Sequence, residues 1–77
     1  MKNCKLYELP KGKKGTIVNV IWEKNISRRL MELGFVKGTT VEMLFSSPKE
    51  NLFIVRLIDF EIEIRKNALK LIEVEYE

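Results

Sequence analysis

Arg28, Arg29, Met31, Glu32 and Phe35 fall within eight consecutive positions and carry the densest chemistry in the chain. Guanidinium, thioether and aromatic groups concentrate at protein–protein interfaces. Arginine supplies a planar fork of donors there, and methionine supplies deformable apolar contact. The chemistry this cluster offers is therefore recognition of another protein. A plain solvated helix face accounts for the charges equally well, since an exposed Arg29–Glu32 pair contributes only about 0.2–0.5 kcal/mol.

A second cluster is basic. Lys11, Lys13 and Lys14 surround Gly12 and precede Gly15. Backbone amides and ammonium groups in such a turn can contact phosphate. The run lacks the Gly-Lys-Ser/Thr order of a phosphate-binding loop. A solvated turn that keeps a sheet edge soluble explains it more simply.

Catalysis has little to work with. The chain holds no histidine and one cysteine, Cys4. That removes the usual general base, nucleophile activator and metal ligand together. No internal disulfide can form, which suits a reducing compartment. Glu61, Glu63, Glu73 and Glu75 alternate along two strands and read as a solubilising face rather than a divalent-cation site. The expectation is a protein with no catalytic residue, no bound metal and no cofactor.

Elements must hold these groups in place. The chain has 77 residues, 45% hydrophobic content and a formal charge of +3. Those values suit one small globular domain spanning 1–77, with a thin core. No apolar run reaches the length that crosses a bilayer, and the start leads into no apolar signal region. Cytoplasmic residence is the expectation. Charge is uneven: five lysines oppose Glu8 over residues 1–14, and the last 17 residues are acidic.

Cys4 falls in a stretch with no strand signal and reads as a loose terminus. A glycine turn then leads to a β-branched run, Thr16 to Trp22. Trp22 ends that strand, with burial beneath the following helix expected over display for peptides or bases. Asn25 or Ser27 can cap the helix. Ile26, Leu30 and Leu33 give it one apolar stripe. Gly34 can take the left-handed stop, with Phe35 against Leu30.

Four further strands follow, about Thr40–Ser46, Leu52–Leu57, Phe60–Arg65 and Leu71–Tyr76. Val41, Met43, Phe45, Phe60, Ile62 and Ile64 should point inward. Ser47 to Glu50 reads as a type I turn, and Lys66 to Leu69 as one helical turn. The pattern predicts a mainly β fold: a small, partly open SH3-like barrel of about five strands with one short α-helix inserted.

The residues also resemble the FeoA family along nearly the whole chain. Leu6, Leu9, Gly12, Gly15, Ile17 and Ile21 look like its opening. Arg29-Leu30, Leu33-Gly34-Phe35, Gly38-Thr39 and Val41 look like its central signature. Ile64-Arg65, Ala68, Ile72 and Val74 look like its close. The resemblance implies an SH3-like barrel that serves as accessory to FeoB, a membrane ferrous-iron transporter with a cytosolic GTP-binding domain. The first reading is thus a non-catalytic interaction module, transporter-bound through Arg28, Arg29, Met31, Glu32 and Phe35, peripheral to the membrane only through that partner. The alternative is an RNA- or ribosome-associated barrel of the KOW type, bound through Lys11, Lys13 and Lys14. The acidic end and small net charge count against nucleic acid. The apolar Thr16–Trp22 run leaves self-association open.

Overall fold

Alternating apolar side chains draw the chain into six antiparallel strands, β1 (Lys2–Lys5), β2 (Lys14–Val20), β3 (Thr40–Ser47), β4 (Leu52–Leu57), β5 (Phe60–Ile64) and β6 (Ile72–Tyr76). The computed structural model describes residues 1–77. One sheet contains all six strands in the order β1-β6-β2-β3-β4-β5. Helix α1 (Lys24–Leu33) links β2 to β3, and the single turn α2 (Lys66–Leu69) links β5 to β6.

The mainly β architecture with an inserted helix matches the expectation, with one difference. The sheet has six strands, because residues 2–5 pair with β6 in the register Lys2↔Tyr76 to Lys5↔Glu73. Nothing in Lys-Asn-Cys-Lys favours a strand. The free side of β6 supplies the partner, and pairing overrides local preference. The sheet is open, as the partly open barrel expected from the sequence allows, and β1 and β5 are its edges.

The core gathers Leu6, Leu9, Ile17, Leu30, Phe35, Val41, Met43, Phe53, Val55, Leu57, Leu69, Ile72 and Val74, with Ile64 and Leu71 at its margin. Each large side chain so buried contributes about 1.5–3 kcal/mol before the opposing entropy is counted. Phe45 was expected among them and is exposed. A bulge shifts the β3–β4 register between Met43 and Phe45, so alternation inverts at Leu44. Phe60 is also exposed, because it opens β5 at the very end of the hairpin.

The glycines divide by role. Gly12 takes a left-handed φ of 85°, as a turn requires. Gly15 does not turn. It lies in β2, and a Cβ there would meet Val74 Cβ at 3.2 Å, so close approach of β6 demands it. The two-residue hairpin between β4 and β5 has no glycine, and Ile58 adopts φ 49° with its side chain 81% exposed.

The outward glutamates do not converge. Strands β5 and β6 are separated in the sheet by β2, β3 and β4. Glu61 pairs with Arg56 at 2.9 Å, Glu63 with Arg65 at 3.5 Å and Glu73 with Lys5 at 3.4 Å. No helix is long and apolar enough to cross a membrane.

Candidate docking surface

The outward face of α1 is positioned by two backbone devices. At its start, neither Asn25 nor Ser27 acts as the N-cap. The cap position is Glu23, which is extended and makes no side-chain cap bond. Ser27 instead reaches back from the first turn. Its hydroxyl accepts from the Glu23 amide and donates to the Ile21 carbonyl at 2.9 Å. The Ile21 amide in turn donates to the Leu71 carbonyl at 2.7 Å. The corner from β2 into α1 is thereby pinned on both sides of Trp22. Ser27 is fully buried and satisfied, which a lone hydroxyl in a core must be.

At the other end, Gly34 adopts φ 106°. Its amide donates to the Met31 carbonyl at 3.1 Å, and the Phe35 amide donates to the Leu30 carbonyl at 2.9 Å. These two bonds form the Schellman stop anticipated from Leu33-Gly34-Phe35. The stop turns Phe35 inward. Its exposure is 0%, so Phe35 belongs to the core and is removed from the proposed binding face. Sequence reasoning places Phe35 both against Leu30 and on the binding face, and the structure keeps only the first.

Arg28, Arg29, Met31 and Glu32 are all exposed, Met31 at 50%. None of the three charged members enters an ion pair, including Arg29 with Glu32. Trp22 joins them. It is 61% exposed rather than buried beneath the helix, because Leu30, Ile26 and Leu33 already occupy the inward side of α1. Trp22, Arg28, Met31 and Glu32 together line a shallow groove of ≈ 320 Å³. A tryptophan, a methionine and an arginine on one rigid surface are side chains of the kind enriched at binding interfaces, with tryptophan and arginine prominent in hot spots. The sequence signal for Trp22 was its position at the end of a strand, where sheet burial runs out.

The basic turn is built differently. Lys11, Lys13 and Lys14 are exposed. The Gly12 amide donates to the Met43 carbonyl at 2.7 Å, and the Lys13 amide to the Pro10 carbonyl at 3.0 Å. Both amides are committed to the fold, so this turn offers ammonium groups without a cradle of free N–H donors.

Two titrating groups are shifted near β1. Burial pushes the Cys4 thiol up, with Glu8 adding to it, which disfavours the reactive thiolate. Glu73 is held below the ordinary carboxylate range, first by a hydrogen bond from Asn19 and then by Lys5. No three His, Cys, Asp or Glu side chains cluster as a metal site would need.

Comparison with known proteins agrees with this architecture. Residues 4–76 match the family model for the FeoA domain. A Campylobacter jejuni protein named as a putative Fe(2+) transport protein A is 35% identical over 69 residues, covering 90% of this chain and 93% of that protein. A Porphyromonas gingivalis fusion of Fe(2+) transport protein A to the Fe(2+) transporter FeoB is 31% identical over 71 residues. That match takes in 92% of this chain, which spans only 8% of the fusion protein. The crystal structure of a Stenotrophomonas maltophilia FeoA complexed with zinc, described as a prokaryotic SH3 domain protein, superimposes with a TM-score of 0.78 at 30% identity. It covers 94% of this chain and 89% of that one. With the family model spanning all but the chain ends, and six strands around one pinned helix, this chain belongs to the FeoA family.

Proposed function

We propose that this protein is a non-catalytic, cytoplasmic accessory of ferrous-iron transport that docks on a FeoB-type transporter through the outer face of α1. The observation that carries the reading is the groove in which Trp22, Arg28, Met31 and Glu32 meet, on a corner fixed by Ser27. Preorganisation matters because side chains that are already held lose less entropy on binding. The partner's identity is supported by the Porphyromonas gingivalis relative, in which the corresponding domain and a FeoB transporter share one chain.

The division of labour is physical. Trp22 and Met31 provide apolar area, and Arg28 and Arg29 provide unpaired cations for acidic groups of the transporter. Glu32 sets orientation by excluding a like charge.

Affinity purification of the tagged protein from gently solubilised membranes tests this, alongside a variant carrying Arg28→Glu and Arg29→Glu. The transporter is expected with the native protein and depleted with the variant, and ferrous-iron uptake should fall in step. Unchanged recovery and uptake would rule out this face. Recovery of ribosomal or RNA partners that vanish in moderate salt would shift the weight to Lys11, Lys13 and Lys14.

A further inference from the structure

The sheet has two open edges. Both are short and charged, β1 with Lys2 and Lys5 and β5 with Glu61 and Glu63, the blunting that protects edges from chance pairing; what separates them is a groove. Along β5 a second groove of ≈ 500 Å³ runs between the strand, α1 and α2. Its lining includes Ile62, Glu63, Ile64 and Arg65 in unbroken succession. A cleft that faced one side of a strand would meet alternate residues only. Three consecutive strand residues, with Arg65 following at the head of α2, place the groove along the open edge itself, where β5 presents main-chain groups that β4 does not use.

The opposite wall, from α1, sets Ile26, Leu30 and Leu33 beside Asn25 and Arg29. Ile26 and Leu33, both half-buried, face the groove from α1. Arg29 stands at the rim with no ion pair, whereas Arg65 is held by Glu63 and by the Asn51 carbonyl. One free cation therefore remains beside the apolar side chains of α1 and an unpaired strand edge.

We propose that this groove receives an extended segment of the transporter as an added strand along β5. The segment pairs through its backbone, seats alternate apolar side chains against Ile26 and Leu33, and sets a carboxylate on Arg29. Strand addition draws affinity from main-chain hydrogen bonds and specificity from alternate side-chain pockets, and this edge offers both. The proposal rests on the docking reading above. Arg29, which belongs to that face, makes the two surfaces continuous.

The test uses short overlapping peptides covering the cytosolic segments of the FeoB-type transporter, titrated into nitrogen-15-labelled protein whose isoleucine and leucine methyl groups carry carbon-13. One peptide should shift the amides of residues 60–64 and the methyl signals of Ile26 and Leu33, and saturate. N-methylating alternate nitrogens of that peptide should weaken binding about tenfold, while methylating the intervening ones should leave it unchanged. Arg29→Glu should weaken it as well. Shifts confined to Trp22 and Met31, or N-methylation without alternation, would overturn strand addition and leave docking through α1 standing. So would a failure of every peptide to bind while the intact transporter still co-purifies. If the transporter does not co-purify either, the docking reading falls first and takes this one with it. Concentration-dependent shifts of residues 60–64 without peptide would assign the edge to a second copy and overturn the proposal.

Discussion

Ser27 brackets Trp22: one hydroxyl bonds the Ile21 carbonyl before the tryptophan and the Glu23 amide after it. The exposed aromatic of the candidate face is therefore mounted on a corner pinned by two hydrogen bonds. Ser27→Ala should strip both backbone groups of their partner and cost about 1–3 kcal/mol. Trp22 is the chain's one tryptophan, so its fluorescence anisotropy should fall in the variant under native conditions. Unchanged anisotropy would show that the corner holds without the hydroxyl.

Stability and docking should separate along α1. Phe35→Ala empties a core position and should cost about 3–5 kcal/mol, enough to unfold much of a domain this small. Trp22→Ala and Met31→Ala remove exposed atoms and should change stability by no more than about 0.5 kcal/mol. Chemical denaturation gives the first comparison and transporter co-purification the second. A Trp22→Ala protein that is stable yet still fully bound would remove Trp22 from the face.

Much of this division was legible in the sequence. The Leu33-Gly34-Phe35 stop, the Ile26, Leu30, Leu33 stripe and the Ser47–Glu50 turn could be read because each rests on local chemistry. The features that escaped depend on distant partners. Residues 2–5 form a strand only because β6 lies beside them. Gly15 looked like a turn residue, yet its reason is Val74, near the other end of the chain. Phe45 lost its inward place to a bulge with no composition signal, and Trp22 lost its cover because the helix had no inward room left.

The pH response should include a contribution from Glu73. Its carboxyl is held low by Asn19 and then by Lys5, so the folded state favours the ionised form. The resulting stabilisation is complete above the ordinary glutamate value of about 4.3 and is lost as pH falls through the lower folded value. Glu73→Gln should flatten the acid limb of the stability curve in that window and leave the shape of the neutral-to-alkaline limb unchanged. Parallel acid limbs for the two proteins would show that the contact does not discriminate between charge states.

Ile58 is misplaced by local criteria. A β-branched residue at positive φ costs about 1–2 kcal/mol, and its side chain recovers little because it is largely exposed. Ile58→Asn should therefore raise thermal stability, by about 1 kcal/mol, since asparagine tolerates this backbone. A loss of stability would mean that the isoleucine makes contacts that outweigh its strain.

The pairing of Lys2 with Tyr76 puts the first and last strands side by side, running in opposite directions. A polypeptide arriving at β1 and one departing from β6 would thus use the same corner of the molecule. The fold is shaped like a cassette with both leads on one side. Attachment to a larger chain, from either end, leaves the far edge at β5 free to be reached.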